Sequence, residues 1–572
     1  MATTTEVKPR LDSNLWTRSP FYKYMRAIRR SPPAIYNRHL FLCVFVFACT
    51  GMPKGWDEGS CASITKLKSF NREFGIDTTK DSGTISNIVS FVNLAAGVGA
   101  ILSMFLNDRL GRIWCLRIYM VIYITGCLAS TFAYGNIGAL YFGRIWAGLG
   151  VGSASVIGPT YIVEVAPKAT RGLMTLWFNL WMLMSQMIGV FVVYGVNIHI
   201  SSKLTLQYQI PFFVQVFVPT IAIGLSFLVS ESPRWLALCG RYEESMASLC
   251  KIRNLPDDHP VLVSEFKEIR GQIEQEFDAY GRLSLKKQFV ELTTSASNLR
   301  RLRLSFMAYF LAQWSGANGI TNYLPTIFGL IGVKGDDKTI YSTGLYAFTK
   351  LMTTLIASLF FTDAVGRRKS LLIGVIIQMC CHFYLGGYLK YYLADPSGIP
   401  VGASRAAIGA IFIHAFGWAI GLYSLPYIFG SELYPSRVRA LGTSLSGGFH
   451  WLFYFAITKA TPGLLSGMHV WGCFIFWGAW CAVSWIYGFI MVPETSGRSL
   501  ESMDSLFDYR WYEIRDHAYP TDEELTRYPY GVYDDHLKLD DQESGRKNDA
   551  VGLTEHEKSS GSTSSGDEAF RH

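Results

Sequence analysis

The sequence has no P-loop, no His-rich zincin motif and no nucleophile elbow, so the local patterns of phosphate, zinc and acyl chemistry are missing. Its 11 cysteines, among them Cys43, Cys49, Cys127, Cys380, Cys381, Cys473 and Cys481, fall mostly inside apolar runs and keep neither metal nor disulfide spacing. They read as small packing residues. No enzyme activity, metal or cofactor is expected. The early apolar core of a cleavable signal peptide is absent too. Lys8, Arg10, Arg18, Lys23, Arg26, Arg29, Arg30 and Arg38 all precede the first apolar run, which begins at His39 or Leu40. A basic segment of this kind is held inside, which places the N-terminus in the cytoplasm, and an even number of crossings returns the C-terminus there.

What the chain does have is apolar surface. Of 572 residues 50% are hydrophobic and 15% aromatic, and the mean hydropathy is +0.21, too apolar for ordinary soluble domains of this length. Lipid is the expected surround. The formal net charge of +8 fits Lys and Arg gathered on one side of a membrane and needs no nucleic-acid partner.

Apolar runs able to span about 30 Å of hydrocarbon lie near residues 40–56, 85–106, 113–134, 139–162, 173–198 and 210–229, and again near 304–330, 340–361, 371–392, 406–429, 441–465 and 470–492. The spacing predicts an all-α membrane protein of twelve transmembrane helices. Its organisation is a basic segment (1–38), a six-helix bundle (39–230), cytoplasmic linker helices (231–301), a second bundle (302–492) and a largely disordered tail (493–572).

Three signatures recur in the same order roughly 260 residues apart, which makes the second half a parallel repeat of the first. The stretch with Asp108, Arg109 and Arg112 returns with Asp363 and Arg367. Glu164 and Arg171 return as Glu432 and Arg439. Glu231 and Arg234 return as Glu494 and Arg498. Each mixes carboxylates with arginines where helices meet the cytoplasm. They are expected to act as latches, pairing across the seam between the halves and breaking as that side opens; the alternative is that loop charges merely follow topology.

Those signatures, together with Gly143-Arg144, Gly148, Gly150, Gly152, Pro159, Tyr161 and Glu164, with Gln313-Trp314-Ser315-Gly316-Ala317-Asn318, and with Pro493-Glu494-Thr495-Ser496-Gly497-Arg498, resemble the sugar porter family of the major facilitator superfamily over residues 37–503, as a eukaryotic, fungal-like member. The resemblance implies the major facilitator fold and a secondary transporter that moves a monosaccharide or related polyol by alternating access, as a plasma-membrane proton symporter. Asp57, in Gly55-Trp56-Asp57-Glu58-Gly59, is similar to the first-helix acid that pairs with the fourth-helix Arg in proton-coupled members, here Arg144. Its protonation would then release Arg144. Two alternatives stay open: a local pair with Lys54, and a solvated position near the outer surface. Gly148 and Gly152, one turn apart, should let the fourth helix pack closely.

A polyol needs amides and hydroxyls around its ring and an aromatic face beneath it. Asn179, Gln186, Gln313, Asn318, Asn322, Tyr427 and Trp451 are the candidates, and Gln186, Gln313 and Asn318 match the family's sugar-contacting positions. Buried amides also join helices to one another. Ala312, Asn179, Tyr427 and His450 depart from the family pattern around the presumed pocket, and Met104, Ile113 and Ala364 depart within the latches. Lys350, inside the eighth run, is a buried cation that needs an anion. A carboxylate-bearing cargo such as quinate or a sugar acid would supply one, as would an internal carboxylate, or the side chain snorkels to the surface. An uncoupled facilitator and a non-transporting nutrient sensor are the other readings.

Overall fold

Every regular element among the described residues is helical, and no strand occurs among them. The structure, a computed structural model, describes residues 32–77, 81–167, 170–280, 285–361, 365, 367–396, 398–423, 426, 433–435, 438–494, 506–507, 509 and 513–514. The first half contains α1 (Arg38–Ile64), α2 (Ser82–Leu110), α3 (Arg112–Thr131), α4 (Ile137–Val165), α5 (Arg171–His199) and α6 (Leu206–Leu225). Linker helices follow: α7 (Pro233–Leu238), α8 (Tyr242–Arg253), α9 (Pro260–Tyr280) and α10 (Leu285–Thr294). The second half contains α11 (Ala296–Trp314), α12 (Ala317–Asn322), α13 (Leu324–Leu330), α14 (Asp336–Ile356), α15 (Arg367–Ala394), α16 (Val401–Ile420), α17 (Arg439–Gly467) and α18 (Trp471–Met491). The basic segment up to residue 31 and nearly all of the tail lie outside the described residues.

Nine of these helices, among the described residues, are long and apolar enough to cross a membrane: α1–α6, α15, α16 and α18. The other three expected runs fall short for physical reasons. The seventh is broken into α11, α12 and α13. Asp336, Asp337, Lys338 and Lys350 lower the hydropathy of α14, and α17 mixes His450 and Lys459 with Gly, Ser and Thr. Large apolar side chains such as Phe142, Ile221 and Ile486 stand exposed on the outer faces, a surface suited to hydrocarbon.

Within the first half, glycines bring backbones together. A Cβ on Gly55 would lie 1.7 Å from the Met182 carbonyl oxygen and one on Gly59 2.1 Å from that of Gln186, so α1 rests directly on α5. Gly148 and Gly152 do the same for α4 on α2, where their Cβ atoms would meet the Val92 and Ala96 carbonyls at 2.5 and 1.9 Å. The close packing expected of the fourth helix is therefore present. Between the halves, α2 packs on α17 and α5 on α14.

The linker is anchored, not loose. Buried Arg253 of α8 donates to the Val165 carbonyl at the end of α4 (2.8 Å) and to Glu265 of α9 (3.0 and 2.6 Å), while the Asn37 amide ahead of α1 donates to the Ile252 carbonyl at 2.7 Å. At the opposite end of the bundle the halves are joined through α2 and α17. Ser86 Oγ donates to the Lys459 carbonyl (3.0 Å), Asn93 Nδ2 to Thr458 Oγ1 (3.4 Å), and the Lys459 ammonium to Asn87.

Gly59→Leu would drive a side chain into the α5 backbone, and the expected outcome is loss of the folded, monodisperse protein on size exclusion in detergent. Gly195→Leu is the control: a Cβ there meets nothing within 4 Å, so its elution profile should match the wild type.

Candidate functional site between the halves

Lys54 and Glu58 lie four residues apart on α1 and so share a face. Gly55 and Gly59, one position further round, hold α1 against α5, which turns the Lys54–Glu58 face to the seam. Asp57 points elsewhere. Its carboxylate takes both Nη atoms of Arg144 on α4, with Nη2 to Oδ2 at 3.1 Å. Arg144 is buried and also donates to the Ile88 carbonyl (3.0 Å) and the Cys61 sulfur (3.2 Å). Asp57 is 14% exposed, so it is not a solvated charge near the surface. Nor does Lys54 pair with it. The Lys54 ammonium reaches the second half, 3.3 Å from His450 Nε2 and 4.8 Å from the centroid of the Trp451 ring. Glu58 also crosses the seam, to Lys350 of α14 at 3.7 Å.

The break after α11 shapes the other wall. Gly316 has φ +85°, a left-handed conformation that glycine adopts without strain, and a Cβ there would meet the Trp477 ring at 2.4 Å. In an unbroken helix, residues five apart point away from one another. Across the break Asn318 Nδ2 donates to Gln313 Oε1 at 2.6 Å, and Gln313 Nε2 lies 3.4 Å from His450 Nδ1. Lys54, Glu58, Gln313, Asn318, Lys350 and His450 line one cavity, which Met182, Tyr309, Trp418 and Tyr423 continue toward the linker end. Its free space is about 20 Å³, room for a water and not for a sugar ring. The site is contracted around its own charges.

The expected binding residues separate accordingly. Gln313, Asn318 and Lys350 meet in the cavity, and Trp451 lies beside it beneath Lys54. Asn322 serves helix packing: its Nδ2 donates to the Asn318 carbonyl (2.8 Å), Tyr454 (3.1 Å) and Thr458 (3.4 Å). Gln186 is buried with Oε1 unpartnered, at the contact with Gly59. Asn179 is half-buried on α5 and does not line the cavity. Tyr427 lies outside the described residues. Lys54, Glu58 and His450 were not among the expected binding residues. The spacing of Lys54 and Glu58 on an apolar helix was the signal available.

The latch signatures take a different role. Glu231 accepts from the backbone N–H groups of Arg112 (3.1 Å) and Ile113 (3.0 Å) at the start of α3, and Glu494 accepts from Arg367 (3.0 Å) and Arg368 (3.2 Å) at the start of α15. The two carboxylates cap equivalent helices, where a negative charge also meets the positive end of the dipole. Burial holds the Glu231 carboxyl above its ordinary range, against the opposing effect of N–H bonds from Ser232, Ile113 and Arg112. Arg112 is buried and binds Glu164 (2.8 and 3.0 Å) and Asp108 (3.1 Å). These bonds run within a half and not, as expected, across the seam. Arg109 and Arg171 are exposed and Arg234 is half-buried. Asp363, Glu432 and Arg498 lie outside the described residues, as does the side chain of Arg439.

Two helical halves enclosing a polar cavity at their seam define a membrane transporter of the major facilitator type, and solved structures agree. The bacterial proton:xylose symporter XylE bound to 6-bromo-6-deoxy-D-glucose superposes with a TM-score of 0.68 at 21% identity, over 82% of this chain and 99% of that one. An inward open XylE from E. coli gives 0.66 at 19%, over 82% and 99%. The sequence matches the family described as Sugar (and other) transporter over residues 43–507. A probable quinate permease of Aspergillus flavus is 33% identical over 489 residues, covering 84% of this chain and 90% of that protein. The quinate permease of Emericella nidulans is 32% identical over 487 residues, covering 84% and 90%. The chain belongs to the sugar transporter family.

Removing either cap should show whether it holds a helix or a gate. Glu231→Ala and Glu494→Ala each orphan two N–H groups at a helix start, Glu231→Ala that of Ser232 as well, and each should cost about 1 kcal/mol of stability, read as a lower thermal midpoint in detergent, with Gln at either site recovering much of it. Unchanged midpoints with altered cysteine accessibility at the linker end would assign the pair to gating instead.

Proposed function

We propose that this chain carries a polyhydroxylated small molecule by alternating access, coupled to protons through Asp57 and Arg144, and that the cargo bears a carboxylate. The observation that carries the cargo reading is the charge in the cavity. Among the described residues lining the cavity, two cations, Lys54 and Lys350, stand with one carboxylate, Glu58, and that excess of positive charge would draw an anionic cargo. Gln313 and Asn318 would serve its hydroxyls. The similarity to quinate permeases supports the same reading. A neutral monosaccharide is the second reading, favoured by the Glu58–Lys350 pair itself, which already satisfies Lys350 from within the protein.

Proton coupling follows from the Asp57–Arg144 contact. While Asp57 is ionised it holds Arg144; once protonated it no longer offers a full charge, and Arg144 keeps only a carbonyl and a sulfur. The helices carrying the two residues, α1 and α4, can then shift against one another. That Lys54 turns to His450 supports coupling over uncoupled facilitation, because it leaves Asp57 to Arg144. The basic N-terminal segment and the family resemblance support a cytoplasmic linker end and a plasma-membrane location.

The test is uptake of labelled glucose, xylose, quinate and galacturonate by cells expressing wild type, Asp57→Asn or Lys350→Ala at external pH 5 and 7. The expected result is acid uptake that rises at the lower pH, falls at least tenfold in Lys350→Ala, and loses its pH dependence or its rate in Asp57→Asn. Uptake of neutral sugars alone, indifferent to Lys350, would establish the second reading.

A further inference from the structure

Among the described residues lining the cavity, Glu58 is the carboxylate that proton coupling through Asp57 leaves unused. Although adjacent in sequence, the two acids face different ways. Successive residues on a helix are turned by about 100°, so Asp57 faces Arg144 inside the first half while Glu58 crosses to Lys350. The groups around Glu58 come from three elements. On α14 these are the Lys350 ammonium and the Tyr346 hydroxyl. On α17 they are the Tyr454 hydroxyl and the His450 ring. On α1 itself they are Lys54, which looks to His450, and Asp57, which Arg144 already holds. Side-chain exposure is 9% for Glu58 and 3% for Lys350. At that burial a charge left without a facing partner is costly.

A cargo carboxylate seeking Lys350 therefore meets a position already filled. With Lys54 held by His450 and the Trp451 ring, the two carboxylates compete for the one ammonium of Lys350, and the one that loses it takes a proton. We propose that Glu58 is a resident stand-in for the cargo's carboxylate, displaced from Lys350 and protonated each time an acid binds, so that its proton travels with the cargo. This rests on the carboxylate reading of the site above. The step balances. The anionic cargo enters with one proton from water on the same side; that proton forms an O–H bond on the Glu58 carboxylate as the ion pair with Lys350 breaks. On the other side the cargo leaves as the anion, Glu58 returns the proton to water, and the ion pair re-forms. Lys350 is matched by one negative charge throughout, first from Glu58 and then from the cargo. The contracted cavity agrees, because the Glu58–Lys350 contact draws α1 and α14 together across the space a ring would fill. A neutral cargo would leave the pair intact and draw on Asp57 alone.

The experiment uses the full chain purified in detergent, with labelled quinate as the probe and labelled xylose beside it, and measures equilibrium binding from pH 5 to 8. In wild type, quinate affinity is expected to rise as pH falls, by up to tenfold per pH unit over the range in which Glu58 takes its proton. Glu58→Gln should bind quinate with no such slope, and Glu58→Asp should restore it. Asp57→Asn, with Glu58 intact, should still take up close to one proton per quinate bound, read with a pH-indicator dye, and none on binding xylose; this measurement decides the matter even where Glu58→Gln does not fold. A Glu58→Gln protein with the wild-type slope, or an Asp57→Asn protein that binds quinate without taking up a proton, overturns the inference and leaves the acid cargo standing. A wild type that binds xylose and neither quinate nor galacturonate overturns the carboxylate reading, and this inference with it.

Discussion

A charge placed among membrane helices has to find a partner inside the protein, and this constraint organises the centre of the molecule. Three charged residues, Lys54, Asp57 and Glu58, fall within five positions of α1. None can be left to hydrocarbon. The backbone contact of Gly55 and Gly59 with α5 fixes the rotation of α1, and that rotation assigns the partners. Asp57 stays within its own half with Arg144, whereas Lys54 and Glu58 cross to His450 and Lys350. One helix thus carries both an internal ion pair and two contacts between the halves. A movement that breaks the second kind need not disturb the first.

The duplication of the chain is also visible in individual bonds. Glu231 and Glu494 stand at matching points after the sixth apolar segment of each half, and each accepts two N–H groups at the start of the third apolar segment of its half. The motif survives in both copies, each bond within its own half. Closure of the linker end therefore cannot be read from these two carboxylates, whose lone pairs already serve helix ends. Besides the central contacts of Lys54 and Glu58, the described residues tie the halves at the other end, between α2 and α17.

Much of this was legible in the sequence. The apolar runs gave the helices, with the first running on to Ile64 where the expected run stops at residue 56. The resemblance named Asp57 with Arg144, and the cost of a buried cation marked Lys350 as needing a partner. Glu58 was passed over because it follows the more familiar Asp57. Helical geometry separates the two, setting Glu58 with Lys54 and Asp57 apart. The helix caps at the latch signatures were not legible for a related reason: charge order along the chain does not reveal which backbone N–H groups a fold leaves open. The start of α3 at Arg112, directly after the Asp108 signature, held that information. The meeting of Gln313 with Asn318 depends on a left-handed Gly316, which no periodicity discloses.

The small volume of the cavity bears on how the halves move. About 20 Å³ of free space is left at the centre, which the protein's own polar set occupies. A cargo bound there, as proposed, would separate Glu58 from Lys350 or Lys54 from His450, and each of these contacts joins the two halves. The α2–α17 bonds at the far end hold while the centre is in this state. A cargo that replaces an internal partner with one of its own therefore acts on the relation between the halves at the moment it binds. In such a site recognition and movement share the same bonds, and a ligand that fills the space without taking over one of those contacts has no differential hold on the two states and cannot shift them.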